Sequence, residues 1–407
     1  MGLIHTVRSV ARFSSPAMSR TSRRLSRVAN IDDLRTLAKR RLPGGIFDYI
    51  DGGAEDEQTL RANSDSFQNW TFVPRVLRDV SLIDTSTTFL GQSLPLPLML
   101  SPTGFSRIAD SQGELSVARV AAEHHLPYCL STLSTRSIEE VAAVSQGPKW
   151  FQVYVWRDKH MLRDMLQRAA DYRYDAIMLT VDTAVLGKRE RDVRRGFTLP
   201  PTLGVRTILD GLTHPRWLLD FLTHESITFS NVAQSSSFPK GTAVTLSDFI
   251  SEQFDPGLSW SDIQWFRDNW SGPIILKGIQ SVADAKIATD NGVDAIAVSN
   301  HGGRQLDGSP ATISLIAPIA DALGGTTPII CDGGIRRGSD IVKALALGAD
   351  ICSIGRPYLY GLGAAKQEGV HKAIEILHSE LIRTMSLIGV SSLSHIDSSY
   401  VHHVSQT

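Results

Sequence analysis

The chain has 407 residues, 42% hydrophobic and 20% charged, with a formal net charge of -1. That size accommodates one large domain with an extension, or two domains, and the composition is that of an ordinary globular protein. Near-neutrality argues against nucleic-acid binding by bulk electrostatics. No apolar run approaches bilayer length, and the three cysteines sit in apolar runs, forming neither a disulfide framework nor a metal cluster.

Residues 1–30 carry Arg8, Arg12, Arg20, Arg23, Arg24 and Arg27, many serines, and no acidic residue before Asp32. Such a basic disordered arm fits a mitochondrial transit peptide, an arm lying on anionic lipid, or a solvated tail. From Ile31 the pattern turns helical, with Leu34, Leu37 and Ala38 in phase. Pro43-Gly44-Gly45 interrupts it, and a second short helix through Phe47, Tyr49 and Ile50 ends at Gly52-Gly53.

Short apolar runs then recur at 98–100, 127–130, 151–155, 176–181, 273–276, 295–298, 328–331 and 351–354, most separated by amphipathic stretches of helical length. Repeated strand–helix units imply a parallel sheet with right-handed crossovers, and eight of them predict a closed (β/α)₈ TIM barrel with an N-terminal helical extension. A doubly wound open sheet is the alternative. Polar residues or glycines follow the strands: Pro102-Thr103-Gly104, Ser131-Thr132, Tyr154, Asp182-Thr183, Lys277-Gly278, His301, Asp332-Gly333-Gly334 and Gly355-Arg356. The interval from about 194 to 255, after strand four, is too long for an ordinary loop. Its basic and aromatic segment around Trp217 fits either a lid over the site or a membrane contact.

The stretch Ser299-Asn300-His301-Gly302-Gly303-Arg304-Gln305-Leu306-Asp307 concentrates the chemistry. His301 can take a proton near neutral pH, Arg304 can clamp a carboxylate through two parallel hydrogen bonds, and Arg189 can meet the same carboxylate. Asp182 is placed either to orient His301 or to cap a helix. Tyr49 and Tyr154 can donate hydrogen bonds to substrate oxygens. The loops with Asp332, Gly333, Gly334 and Arg336, and with Gly355 and Arg356, suit a phosphate, borne by a substrate or by a flavin mononucleotide. Lys277 could stabilise a reduced flavin or form a Schiff base; its company favours the flavin.

These motifs, with Phe47–Asp56 (Phe-Asp-Tyr-Ile-Asp-Gly-Gly-Ala-Glu-Asp) and Asp-Gly-Gly-Ile-Arg-Arg-Gly from Asp332, resemble those of the FMN-dependent L-2-hydroxy acid oxidase/dehydrogenase family from residue 31 onward. The resemblance implies FMN as cofactor, His301 as base, and Tyr49, Tyr154, Arg189 and Arg304 as the substrate-binding quartet. It puts Pro102, Thr103, Gly104, Ser131, Gln152, Thr180, Lys277 and Ser299 at the flavin ring and ribityl chain. Asp332, Gly333, Gly334, Arg336, Gly355 and Arg356 fall at the ribityl and phosphate end.

Gly104 stands where glycolate oxidase and flavocytochrome b2 have alanine, and Leu133 where glycolate oxidase has tryptophan. Both move the expected substrate from glycolate toward L-lactate. The segment 207–221 resembles that of bacterial respiratory dehydrogenases. The expectation is thus a tetrameric L-lactate dehydrogenase passing electrons to quinone or a cytochrome, cytoplasmic and peripheral on the inner membrane, or mitochondrial if the arm is a transit peptide. An oxygen-using oxidase producing hydrogen peroxide is the alternative, and a non-redox flavin-binding barrel the second.

Overall fold

The computed structural model describes residues 19–195, 205–233 and 253–406. Eight strands close into an all-parallel barrel: β1 (Leu98–Leu100), β2 (Tyr128–Ser131), β3 (Lys149–Tyr154), β4 (Ala176–Thr180), β5 (Ile274–Ile279), β6 (Ala295–Ser299), β7 (Ile329–Asp332) and β8 (Ile351–Ile354). Closure excludes the open-sheet alternative.

Strand parity explains where the polar groups go. Alternate residues of a strand point to opposite faces. Met99, Cys129, Trp150, Ala176, Met178, Ile275, Ala295, Ala297, Ile330 and Ile351 form one apolar cluster, the barrel interior. Ile177, Leu179, Ile274, Leu276, Ile296 and Val298 belong to the larger cluster beneath the helices. Two residues beyond the last interior apolar side chain, each strand turns polar: Ser101, Ser131, Gln152, Thr180, Lys277, Ser299, Asp332 and Ser353. These eight form a ring at the C-terminal face, where barrels carry their sites.

The opposite end is closed by an antiparallel hairpin, Thr87–Phe89 paired with Gln92–Leu94. Its Phe89 and Leu94 join the interior cluster, with the Phe89 and Trp150 rings 5.9 Å apart. The core therefore runs unbroken from this plug to the polar ring.

The N-terminal extension is more ordered than an arm. A helix spans Arg20–Leu25, capped by the Ser19 side chain, and Leu25 and Val28 are buried with Ile31 and Leu34 in the main core. Two apolar residues in register with the next helix suffice to dock this segment; residues 1–18 lie outside the described residues. Helix Ile31–Arg41, capped by Asn30, packs on the long C-terminal helix Arg356–Ile388, which is kinked at Ala365 and Lys366.

The interval after β4 folds into short helices, including Glu190–Arg195, Val205–Leu212 and Pro215–Leu222. Trp217 turns inward, its indole N–H donating to Ile108 O at 2.8 Å, and Asp220 accepts from Ser111 N and Lys366 Nζ. Leu209, Leu212, Leu219, Phe221 and Leu222 remain exposed on the outside. One face docks as a lid would, while the other leaves an apolar surface uncovered.

Candidate active site

A cavity of about 450 Å³ opens over the polar ring, within the range typical of small-molecule sites. Of the residues singled out from sequence, Tyr49, Pro102, Thr103, Gly104, Gln152, Tyr154, Thr180, Arg189, Lys277, His301, Arg304, Asp332, Gly333, Gly334, Arg336, Gly355 and Arg356 line it. Ser131, Asp182 and Ser299 do not line it, and each braces a residue that does. Ser131 Oγ donates to Gln152 Oε1 at 3.0 Å, and Gln152 Nε2 donates to Thr180 Oγ1 at 2.9 Å. Ser299 Oγ accepts from Lys277 Nζ at 2.8 Å and from His301 N at 3.1 Å.

Lys277 and Asp332 are both buried, with Nζ 2.9 Å from Oδ2. Asp332 also accepts from the hydroxyls of Ser101 and Ser299, each at 2.7 Å. Burial alone would raise its pKa, but Lys277 and these donors hold it down, to about 2. The lysine, disfavoured as a cation by burial, is kept charged by Asp332 and Asp182, and its pKa is raised. The floor of the cavity is thus a satisfied polar network with a fixed ammonium.

His301 leaves β6 at a positive φ of 58°, followed by Gly302 and Gly303 at 65° and 73°. This left-handed run reverses the chain sharply enough to bring imidazole and guanidinium back over one cavity. Nδ1 lies 3.1 Å from Asp182 Oδ1. Burial opposes the charge on Asp182, yet His301 and Lys277 outweigh it and its pKa is lowered. An ionised Asp182 fixes the proton on Nδ1 and leaves the Nε2 lone pair for the cavity. The Tyr154 ring stacks parallel to the imidazole, 6.5 Å between centroids, and burial pushes its hydroxyl pKa upward.

Arg304 and Arg189 flank the Tyr49 ring, their guanidinium carbons 5.0 and 5.5 Å from its centroid. Arg304 Nη1 donates to the carbonyls of Tyr49 and Gly52, at 2.6 and 3.1 Å. Burial and the neighbouring Arg189 lower its pKa. Arg356 is spent more on structure than its position predicts. Nε, Nη1 and Nη2 donate to Ile50 O, Gly302 O and Gly52 O, fastening the His301 turn to the helix Gly44–Asp51.

Sequence reading missed the apolar wall. Phe105 and Phe229 pack 5.1 Å apart, Phe254 meets Tyr154 edge-on at 5.2 Å, and Leu186 and Val193 complete it beside Leu133, the one member the sequence had singled out. Phe229 and Phe254 belong to the long interval and carry no motif. It also missed Asp192, a carboxylate lining the cavity.

The chain matches the FMN-dependent dehydrogenase family over residues 38–403. It is similar to the L-lactate dehydrogenase of Pseudomonas syringae pv. syringae (strain B728a), 41% identical over 376 residues that make up 91% of this chain and 98% of that one. It is also similar to (S)-mandelate dehydrogenase of Pseudomonas putida, 38% identical and covering 92% and 94% of the two chains. Among solved structures, the crystal structure of the monotopic membrane protein (S)-mandelate dehydrogenase superposes with a TM-score of 0.89 at 37% identity, over 93% of this chain and 100% of that one.

Proposed function

This chain belongs to the FMN-dependent dehydrogenase family, and from that footing we propose that it oxidises L-2-hydroxy acids, with L-lactate to pyruvate as its main reaction and a quinone or cytochrome as electron acceptor. The observation that carries this reading is the pairing of an Asp182-backed His301 with two arginines in a single cavity.

The residues present fit the cofactor. Gly355 caps the helix Arg356–Ile388 without a side-chain hydrogen bond, so the first-turn amides of Arg356 and Tyr358 (Pro357 between them has none) are available to a phosphate, assisted by Arg336. Lys277 would supply a fixed positive charge to the flavin ring, and Gln152 and Thr180 beside it offer further polar atoms. FMN, when bound, supplies the two-electron acceptor.

The protein's own contribution is binding, orientation and proton transfer. Arg304 and Arg189 fix the substrate carboxylate, so the reacting carbon starts close to attack geometry. Tyr49 and Tyr154 hydrogen-bond substrate oxygens. Oxidation removes two hydrogens from the alcohol carbon and its oxygen; His301 Nε2 takes one as a proton, and the imidazolium is stabilised by Asp182. Phe229 and Phe254 help exclude water from above.

Two partner readings belong to the same proposal. Among the described residues no helix is long and apolar enough to cross a membrane, and the exposed apolar side chains of 209–222 support peripheral contact instead. Val76, Leu77 and Leu82, each more than four-fifths exposed, support burial against further copies of the chain in a tetramer.

Stopped-flow reduction of the bound flavin by L-lactate, glycolate and L-mandelate tests the reaction. Reduction fastest with L-lactate, and reoxidation faster with quinone than with oxygen, is the expected result. Rapid reoxidation by oxygen with release of peroxide would make the protein an oxidase, and no reduction by any hydroxy acid would overturn the reading altogether.

A further inference from the structure

Among the described residues, two acidic side chains line the cavity, Asp332 and Asp192. Asp332 is fully engaged by Lys277, Ser101 and Ser299. Asp192, on the helix Glu190–Arg195, is buried but far less committed. Its ion-pair partner is Arg189, with Nε 3.7 Å from Oδ2, too long for a hydrogen bond. A carboxylate placed beside the two arginines of an anion-binding cavity works against the ligand unless it has a task there.

We propose that Asp192 is the internal counter-charge of the arginine pair, competing with the substrate's carboxylate for Arg189 and so setting the affinity for anionic substrate and product. The inference rests on the hydroxy acid reading and deepens it. Two guanidiniums held together repel each other, and in the resting protein Asp192 offsets that repulsion. When a substrate carboxylate enters, the arginines face two anions, and the repulsion between these weakens binding. Product, which carries the same carboxylate, is loosened equally, so the clamp does not trap it.

The surrounding charges fit this role. From the His301 turn Arg304 faces Asp192, and from its own segment Arg189 and Arg191 do; Asp48, on the helix Gly44–Asp51, is the opposing acid. Arg191 is engaged by Asp51 and Glu57, and Arg195 by Asp48. Arg189 and Arg304 are left as the cations Asp192 shares with a ligand. Burial raises the Asp192 pKa in spite of these arginines, so its charge is lost at a higher pH than that of a solvated aspartate.

The test is calorimetric titration of the FMN-loaded protein with pyruvate, which reads the clamp without turnover. Asp192→Asn should bind pyruvate about tenfold more tightly near pH 7. The gap to wild type should close as the pH falls and Asp192 protonates. Asp192→Glu keeps the charge and carries it one methylene further toward Arg189; it should bind pyruvate more weakly, and serves if the asparagine variant loses its flavin. Weaker or unchanged binding by Asp192→Asn would overturn the proposal, because it would make Asp192 a support for Arg189 or a bystander. A wild-type protein that ignores pyruvate overturns the lactate reading alone. The same comparison made with benzoylformate, which presents the same carboxylate, then decides the role of Asp192.

Discussion

Asp182 Oδ1 meets His301 Nδ1 at 3.1 Å from the loop after strand β4 to the turn after β6, reaching across the intervening strand β5. The path is open because β5 carries Gly278 there, at a φ of 112°; a Cβ on it would lie 2.7 Å from that of Asp182. Asp182→Asn keeps the size but removes the charge that stabilises the imidazolium and can reverse the tautomer. Flavin reduction should fall by about two to four orders of magnitude, with flavin content and melting temperature nearly unchanged. Stopped-flow spectrophotometry checks this, and an unaltered reduction rate would remove Asp182 from the mechanism.

The backbone at His301 decides which variant tests the base. A φ of 58° is tolerated by asparagine and histidine better than by longer side chains. His301→Asn should therefore keep the turn and the bound flavin while losing orders of magnitude in reduction by L-lactate. Flavin absorbance with single-turnover kinetics reads both quantities, and a variant still reduced at the wild-type rate would rule out His301 as the base.

Arg304 has two tasks, and they separate experimentally. It lines the cavity, and its Nη1 also ties the carbonyls of Tyr49 and Gly52. Arg304→Lys should raise KM for L-lactate about thirtyfold or more and lower the melting temperature as well. Arg189, paired through Asp192 and stacked over Tyr49, should on replacement by lysine raise KM with little change in melting. Steady-state kinetics and scanning calorimetry on both variants check the contrast; an equal loss of stability in both would contradict it.

The site was legible where chemistry and strand parity coincide. Position at a strand end located Lys277 and Asp332 from the sequence, whereas Gln152 and Thr180 came from the family resemblance; strand parity in the folded barrel accounts for all four, each a polar residue two positions beyond an interior apolar one. Less legible was the mortar. Asn300 exchanges hydrogen bonds with Asn63, both at 2.8 Å. Asp307 receives the backbone amides of Gln58 and Thr59, and Gln305 receives that of Gly187. A third of the Ser299–Asp307 motif thus holds remote segments around the turn through these side chains, and no local pattern names partners more than a hundred residues away. Asp192 was missed for a related reason. On a short helix after two basic residues it reads as a surface charge, and only the fold turns it toward Arg189.

The Lys277–Asp332 pair predicts how flavin retention depends on pH. Asp332 has a folded pKa lowered from 3.8 to about 2, so its contribution is complete above about 4 and is lost as the pH falls toward 2. Lys277 has its pKa raised above 10.5, so its contribution is complete below 10.5 and is lost as the pH rises through the higher value. The pair should hold the cavity floor across the whole span between these limits. Flavin fluorescence released on acidification checks the lower edge. Asp332→Asn should leave Lys277 buried without its counter-charge and release flavin at neutral pH; retention as strong as in wild type would mean that the pair does not support the flavin site.

The outer face of 209–222 supplies the last prediction. Trp217 and Asp220 anchor the helix Pro215–Leu222 to Ile108 and Ser111, on a segment whose Phe105, Ser106, Ile108 and Ala109 line the cavity. On the other side Leu219, Phe221 and Leu222 are 66%, 43% and 69% exposed, with Arg216 also exposed beside them. Inserting these three into a bilayer interface would gain about 1 kcal/mol each, given their partial exposure, and the basic neighbour suits anionic headgroups. Replacing all three with serine should weaken sedimentation with anionic vesicles about 100-fold while leaving reduction by L-lactate unchanged, because none of the three touches the cavity. If the proposed quinone acceptor is drawn from the bilayer, its reoxidation of the flavin should slow in parallel. Vesicle binding that survives the triple replacement would place the membrane contact elsewhere, or leave the protein without one.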